Sequence, residues 1–442
     1  MAQPIKSLNP HASGPAPGAA SGIADAERRR RRQWRAMLLA LISPFLALVL
    51  ALRYPRDPTA KNVVWLFTIF YGTVFYIASW STADSVRYAE QLLFMHDPEF
   101  GLFDLVGNFF SDRTGYQDLY QPLVTFLVSQ VTGEKWLLFG AFGVLLGYVY
   151  SRNVWFLIDR LPMRPGFTLW FLVIAFAFVV GIGVSLNGVR MWTALHVFIF
   201  GILYFAESKQ PKFLLISLLS PLIHFSFLLP SALLLAFVLL KRFGVAIYVF
   251  FVASFFVAAL DVTLIRSVME YLPQTMGERA IEGYVDRAGM TVAGDGAVAQ
   301  RPWFLVLNSS LVKAFMFLAS TWLFLRRAHD RDGVIRFLFL FGMLVYGAVN
   351  LTAHIPSAAR FFNVGEMLII GALVLFLADQ ARARKLDFQI AGLLLPLLAI
   401  HVALGVRFFL EYASFWLIAG NFFAAPFVDA DIGLYEFIKE HL

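Results

Sequence analysis

Apolar runs of membrane-spanning length recur along this chain and constrain its fold more than any other feature. A helix of about twenty residues reaches about 30 Å, the thickness of the hydrocarbon core of a bilayer. Backbone polar groups in lipid must pair within the protein, so such runs fold as helices. The runs are Ala36–Leu52, Val63–Ser79, Trp136–Tyr150, Phe167–Val184, Trp192–Phe205, Phe213–Leu240, Val245–Leu260, Trp303–Leu325, Phe337–Leu351, Phe362–Leu377 and Ile390–Val406. They predict an all-α, polytopic integral membrane helical bundle with about 11–13 transmembrane or re-entrant helices.

The composition supports this class and narrows the partners. Hydrophobic residues make up 59% of the chain and charged residues 15%, while cysteine is absent, which excludes disulfides and thiolate metal sites. The net charge of +7 is concentrated in loops and in the run Arg28–Arg32. Such charge is typical of orientation signals and contacts with lipid headgroups. We therefore expect membrane lipids, and not nucleic acid, around the basic residues.

The domain organisation follows from the same pattern. Residues 1–35, rich in Pro, Gly, Ala and Ser and ending in the basic run, predict a disordered tail that is retained, since no clear small-residue cleavage site follows Leu50. Residues 36–410 predict one membrane domain, followed by a C-terminal tail at 411–442. Within the domain we expect an outer-side loop with interfacial helices at 81–135 and a long outer loop at 261–302.

Basic residues cluster in alternate loops between the apolar runs. By the positive-inside rule these loops face the cytoplasm, and the intervening loops face out. The basic residues are Arg152, Arg160, Arg164, Lys209, Lys212, Lys241, Arg242, Arg326, Arg327, Arg331, Arg336, Arg382, Arg384 and Lys385.

The N-terminal topology leaves two alternatives. Arg53, Arg56 and Lys61 make the loop after the first run cytoplasmic, which puts Asp84 outside after one further crossing. The run Arg28–Arg32 argues for a cytoplasmic start as well. Either the first run, broken by Pro44, does not cross the membrane, or the rule is violated at the N-terminus.

The run Phe213–Leu240 lies between two basic loops, so it must begin and end on the cytoplasmic side. We interpret it as a hairpin of two short helices whose tip, Pro221–Ser226, lies within membrane depth. Irregular backbone at that depth is tolerated only beside a cavity or buried in protein. His224 at the tip is either a functional residue or a buried structural histidine.

The same topology gathers polar residues at the outer side, namely Asn187, Arg190, His224, His354 and Arg360. Arg190 alone is equally consistent with a helix-end anchor that reaches the interface. Lys313, about ten residues into its helix, either bonds a backbone carbonyl or faces a wet cavity. Several cations facing one outward cavity suit a diphosphate, or another anionic head group, on a lipid tail.

Several short segments resemble, in this order, those of EpsG-like proteins, which are Wzy-type polymerases of bacterial exopolysaccharide, capsule and O-antigen. The resemblance covers roughly residues 63–380. The family usually carries an arginine shortly before Gly-Thr-Asp, whereas this chain has Trp80–Asp84 there. The segments are Asp84–Tyr88, Asp118–Leu123, Asn187–Arg190, His224–Pro230, Lys313 and Ala359–Asn363.

The resemblance implies a GT-C-like fold and a polymerase of the bacterial inner membrane. Such an enzyme transfers a growing glycan from an undecaprenyl-diphosphate carrier onto the next lipid-linked repeat unit at the periplasmic face, with chain-length regulator and flippase proteins as further partners. The reaction needs cations on the leaving diphosphate and a base for the attacking hydroxyl. The scheme requires no metal or other cofactor.

Each candidate site residue receives a role in this scheme. We expect Arg190 and Arg360 to hold the diphosphate with Lys313 assisting, and Tyr88 to belong to the substrate-binding set. The base is His224 or Asp84, and Asn187 orients sugar hydroxyls or the arginine.

Two other function classes remain open at this point. A lipid-linked oligosaccharide flippase or other transporter should show paired, broken helices from two related halves, with charges near the midplane. An O-antigen ligase or an acyltransferase would use the same outer face for different chemistry. The sequence shows no such repeat and gathers its polar residues at one face, which favours the polymerase.

Overall fold

A computed structural model gives the architecture of the chain. It describes residues 30–31, 33–77, 84–109, 116, 118–256, 302–330, 333–352, 358–379, 383–428, 430 and 432–441. The predicted tail as far as residue 29, nearly all of the predicted outer loop at 261–302, and His354 lie outside these residues.

The N-terminal part consists of short helices. The run Ala36–Leu52 is split where Pro44 starts a new helix, and each half, at about 1.5 Å per residue, is about 15 Å long. Neither half alone reaches across a bilayer. The helices are α1 (Gln33–Ile42), α2 (Pro44–Arg53), α3 (Ala60–Thr73), α4 (Asp84–Met95), α5 (Leu102–Phe109) and α6 (Tyr120–Ser129).

The central part contains the first long helices and the predicted break. The helices are α7 (Lys135–Ile158), α8 (Phe167–Phe178), α9 (Ile182–Asn187), α10 (Val189–Ser208), α11 (Pro211–Leu218), α12 (Ser220–Ile223) and α13 (Leu228–Leu240). Between α12 and α13, His224 has extended backbone (φ −150°, ψ 114°) and a 3₁₀ turn follows at Phe225–Phe227. The predicted interruption at the tip Pro221–Ser226 is therefore present, although the sidedness of a hairpin stays a prediction.

The C-terminal part completes the bundle. Its helices are α14 (Gly244–Ala253), α15 (Trp303–Leu325), α16 (Val334–Thr352), α17 (Phe362–Ala378), α18 (Lys385–Leu394), α19 (Pro396–Glu411), α20 (Trp416–Ala419) and α21 (Leu434–His441). The pair α18 and α19 is bent by 57°. The segment after residue 411 packs on the membrane domain, because Tyr76 donates a hydrogen bond to Glu436 (2.9 Å) and Leu417 is fully buried.

Among the described residues, six helical segments are long and apolar enough to cross a membrane, or seven with the bent pair. This confirms the all-α, polytopic membrane class. The span 358–378, which includes α17, is 89% buried and lies at the centre, whereas α15 is 28% buried and lies at the periphery. Five shorter apolar helices accompany these spans. They are α1, α2, α14 and the segments Pro211–Ile223 and Phe225–Leu240.

The basic loops meet at one end of the bundle. Arg56 donates to the carbonyl of Leu161 (3.2 Å), and Arg160 pairs with Glu207. Arg336 donates to the carbonyl of Lys241 (3.0 Å). We call this the basic end. Because α10 is about 30 Å long, its first turn, with Arg190, lies at the opposite end.

Glycines on α7 allow α3 to approach closely. A Cβ at Gly143 would lie 2.8 Å from both the Cα of Ile69 and the carbonyl oxygen of Thr68. Gly140 and Gly147, on the same face of α7, have equally close neighbours on α3. Small residues of this kind let transmembrane helices pack backbone against backbone. This packing fixes α3, and through it the position of α4.

We expect Gly143→Ala to lower the free energy of unfolding by about 1–3 kcal/mol, because the new methyl forces the backbone of α3 away. Thermal unfolding in lipid nanodiscs measures the effect. Gly371→Ala is the matched control: it also lies within a span, and its Cβ would meet its nearest neighbour at an ordinary 3.7 Å. Equal stability of the two variants would contradict the close packing of α3 on α7.

Candidate functional site

The carboxylate of Asp118 is the centre of a buried polar cluster at the end opposite the basic loops. Its side chain is 1% exposed. Oδ2 accepts from Nη1 of Arg190 (3.2 Å) and lies 2.9 Å from Nδ1 of His224. Oδ1 accepts the backbone N–H of Phe225 (2.7 Å). A buried charge is tolerated when it is paired and hydrogen-bonded in this way.

Local chain geometry brings these groups together. The interruption of the helix at His224 exposes backbone groups that a continuous helix would satisfy internally. The segment of Asp118 bonds to them: Leu119 N–H donates to the carbonyl of Leu222 (2.9 Å), next to the bond from Phe225 to Asp118. The break therefore creates the binding place for Asp118, and Asp118 in turn fixes the ring of His224.

The bond to Asp118 defines what His224 can do chemically. In the neutral ring that carries its proton on Nδ1, this nitrogen donates to the carboxylate and Nε2 keeps a lone pair. The side chain of His224 is 11% exposed. No described residue forms a hydrogen bond with Nε2. The arrangement suits a proton acceptor oriented by a carboxylate.

Arg190 joins the cluster from the first turn of α10. Its Nε donates to the hydroxyl of Tyr88 (3.3 Å), its Nη1 donates to Asp118, and its side chain remains 31% exposed. Nη2 has no partner in the part of the chain that the structure describes. The guanidinium is thus held in place with a donor edge still available for an anion.

Tyr88 and Asp84 lie one helical turn apart on α4. Burial raises the pKa of the Tyr88 hydroxyl to about 12; the nearby Arg190 lowers it and the Asp84 carboxylate raises it by smaller amounts. Tyr88 therefore stays protonated at neutral pH. Asp84 forms an ion pair with Arg87 on the exposed side of the helix.

Both polar atoms of the Asn187 amide form hydrogen bonds within the protein. Its Oδ1 accepts from the hydroxyl of Ser85 (2.8 Å), and its Nδ2 donates to the hydroxyl of Tyr412 (3.1 Å). It joins α9 to α4 and to the end of α19. These bonds run to Ser85 and Tyr412 and not to Arg190, so both predicted roles, orienting sugar hydroxyls or orienting the arginine, stay predictions.

The other two cations, Arg360 and Lys313, are not among the hydrogen-bond partners of Asp118 in the part of the chain that the structure describes. Arg360 is exposed on the 3₁₀ turn Ala358–Phe361, and Phe361 packs on Phe227, close in sequence to His224 (ring centroids 5.5 Å). Lys313 lines a separate cavity and lies 5.2 Å from the ring centroid of Phe362. The predicted site residues are thus divided: Arg190 and His224 meet at Asp118, whereas Lys313 lines the separate cavity.

The site residues predicted from the sequence do not include two residues that the structure brings forward, Asp118 and Glu366. Asp118 opens one of the segments that carry the family resemblance, and an aspartate beside an interfacial stretch was a usable signal. Glu366, 7% exposed, is an acidic residue within an apolar run, a position where a charge needs a partner. Among the described residues, no three His, Asp or Glu side chains are placed to hold a metal ion.

Comparison with known proteins gives one match. A model of the EpsG family matches residues 126–414. This stretch contains Asn187, Arg190, His224, Lys313 and Arg360, whereas Asp84, Tyr88 and Asp118 precede it. No curated protein and no solved structure matches the chain.

Replacement of Asp118 by asparagine tests the cluster as a structural unit. Asp118→Asn keeps the shape but leaves Arg190 without its charge partner and turns an N–H donor toward other donors. We expect a loss of about 1–3 kcal/mol in the free energy of unfolding, measured by thermal unfolding in nanodiscs.

Asp104→Asn is the matched control for this variant. Asp104 also accepts a backbone N–H, from Gly101 (2.8 Å), but it is exposed. Its replacement should change the stability by less than about 0.5 kcal/mol. If both variants are equally stable, Asp118 does not hold the cluster together.

Proposed function

The chain belongs to the EpsG family, a family of membrane polysaccharide polymerase type, and from this premise we propose that it is a Wzy-type polymerase. It transfers a growing glycan from an undecaprenyl-diphosphate carrier onto the next lipid-linked repeat unit. The observation that carries the proposal is the cluster of Arg190 and His224 about Asp118. It combines a cation for a diphosphate with an oriented proton acceptor.

The reaction takes place at the periplasmic face of the bacterial inner membrane. The basic end gathers Arg56, Arg160 and Lys241, and basic loops face the cytoplasm. The cluster about Asp118 lies at the other end of α10, and therefore on the outer side. Repeat units that have been carried across the membrane meet the enzyme there.

The chemical step exchanges one bond at the anomeric carbon for another. A hydroxyl of the acceptor sugar attacks this carbon of the donor glycan, a new glycosidic C–O bond forms, and the bond to the diphosphate oxygen breaks. The hydroxyl proton passes to Nε2 of His224, and the electron pair leaves with the carrier diphosphate. Asp118 stabilises the imidazolium that results.

Arg190 and Arg360 stabilise the leaving diphosphate. Arg190 presents its Nη2 edge while Tyr88 and Asp118 hold its other nitrogens. Arg360 is exposed and has no carboxylate partner among the described residues, so its guanidinium is available to an anion. Guanidinium groups bind phosphate oxygens bidentately, which suits the charge that develops on the leaving group.

Between the two predicted bases, the contacts favour His224. Asp84 pairs with Arg87 on the exposed side of α4. His224 has a buried acidic partner on one nitrogen and a lone pair on the other. Asp84 then contributes negative charge near Arg190 and Tyr88 and does not itself take the proton.

Deletion of the gene tests the polymerase against the flippase. A polymerase mutant should accumulate single lipid-linked repeat units that are exposed at the outer face, because the units still cross the membrane. A flippase mutant would lose every surface-exposed intermediate. Electrophoresis of surface glycans, together with extraction of the lipid-linked units, distinguishes the two, and the second result would contradict the proposal.

His224→Gln tests the base in the same assay. Glutamine keeps hydrogen-bonding capacity but cannot accept the proton, so we expect turnover to fall about a hundredfold or more while the protein still accumulates. His329→Gln is the matched control, since His329 is also buried beside an aspartate, Asp330 (3.3 Å), but follows α15 in a basic loop. Polymer of normal length in the His224 variant would remove the histidine from the mechanism.

A further inference from the structure

A second polar cavity, distinct from the cluster about Asp118, lies among α8, α9, α15, α16, α17 and α19. Its volume is about 400 Å³, within the range of small-molecule binding sites. Its polar lining residues come from four helices, α15, α16, α17 and α19. They are Asn308, Ser309, Lys313, Tyr346, Asn363, Glu366 and His401.

Three of these side chains carry buried polar atoms without a partner. The hydroxyl of Tyr346, Oδ1 of Asn308 and Nε2 of His401 form no hydrogen bond with any described residue, and Tyr346 is 0% exposed. An unpaired buried polar atom loses the hydrogen bonds it had with water, so native proteins satisfy nearly all such atoms. The cavity therefore offers hydrogen bonds that the protein does not use.

The charges of the cavity indicate the class of ligand. Lys313 and Glu366 both line it, so their formal charges cancel and Lys313 is not an unopposed cation for a phosphate. The walls include the rings of Phe178, Phe362 and Phe408. A neutral ligand with many hydroxyl groups can donate to Glu366 and Asn308, accept from Lys313 and Tyr346, and lie against the rings.

We propose that this cavity binds neutral sugars of the lipid-linked repeat unit. The proposal rests on the proposed function and assigns Lys313 to the glycan and not to the diphosphate. α9 links the cavity to the helix that carries Tyr88: Val184 lines the cavity, and Asn187, about one turn later, bonds Ser85 of α4. Ala359, beside Arg360, also lines it. A sugar chain whose diphosphate lies at Arg190 and Arg360 thus has a site next to its head group.

Tyr346→Phe provides the sharpest test, because the change removes only the unpartnered hydroxyl. The probe is the neutral oligosaccharide obtained by partial acid hydrolysis of the polysaccharide that the protein's own cells make, labelled at its reducing end. Binding to the full chain is measured by equilibrium dialysis in nanodiscs, since maltoside detergents themselves carry sugar. We expect the Kd to rise about three- to tenfold, as for the loss of one hydrogen bond, while the Tm does not fall.

Tyr248→Phe is the matched control. The hydroxyl of Tyr248 donates to Thr321 (3.3 Å) and lies outside the cavity. This variant should lose stability and bind the oligosaccharide as the wild type does. We thus expect Tyr346→Phe to weaken binding without loss of stability, and Tyr248→Phe to lower stability without loss of binding. A general loss of folding cannot produce both results.

Glu366→Gln and inorganic diphosphate separate sugar binding from anion binding. Loss of the carboxylate should weaken binding of the oligosaccharide and allow diphosphate to compete with it for the cavity. Competition by diphosphate in the wild type, or an unchanged Kd for Tyr346→Phe, would overturn the proposal. The probe comes from finished polysaccharide, so it can be prepared whatever the protein does. If the oligosaccharide does not bind while deletion of the gene still causes single repeat units to accumulate, the proposed sugar site is wrong and the polymerase proposal stands.

Discussion

The structure at the proposed active end depends on one buried carboxylate. Asp118 joins three parts of the chain: the first turn of α10, the helix break at His224, and its own segment before α6. An ion that is removed from water needs every one of these partners. The same bonds that make Asp118 tolerable in a membrane protein hold Arg190 and His224 in the arrangement that the proposed reaction needs.

The remainder of the bundle sets the side on which this cluster lies. The close packing of α3 on α7 through Gly140, Gly143 and Gly147 carries the chain away from the basic end to α4, which supplies Tyr88. Asn187 then connects α4 with α9 and with Tyr412. Both ends of the Asn187 amide are thus bonded within the protein, whereas Nη2 of Arg190 has no partner among the described residues.

The sequence predicted the class of the fold and much of the site, because both depend on local patterns. Apolar length identified the helices, and charge alternation placed Arg190 and His224 at one end. The partner of both, Asp118, was missed because its contacts span 72 and 106 residues, and no periodicity relates residues so far apart. Lys313 was grouped with the arginines by side alone, whereas packing of α15 places it with Glu366 in another cavity. The GT-C-like relationship stays a prediction, since no solved structure matches.

The central claim is that His224 and its neighbours face the outside of the cell. The chain contains no cysteine, so one introduced thiol reports one position. His224→Cys should react with a charged, membrane-impermeant thiol reagent added to intact spheroplasts. Ser208→Cys, exposed at the far end of α10, should react only in inverted vesicles. Labelling of the position 224 variant from the cytoplasmic side alone would contradict the account, because the cluster about Asp118 would then lie where no lipid-linked unit awaits polymerisation.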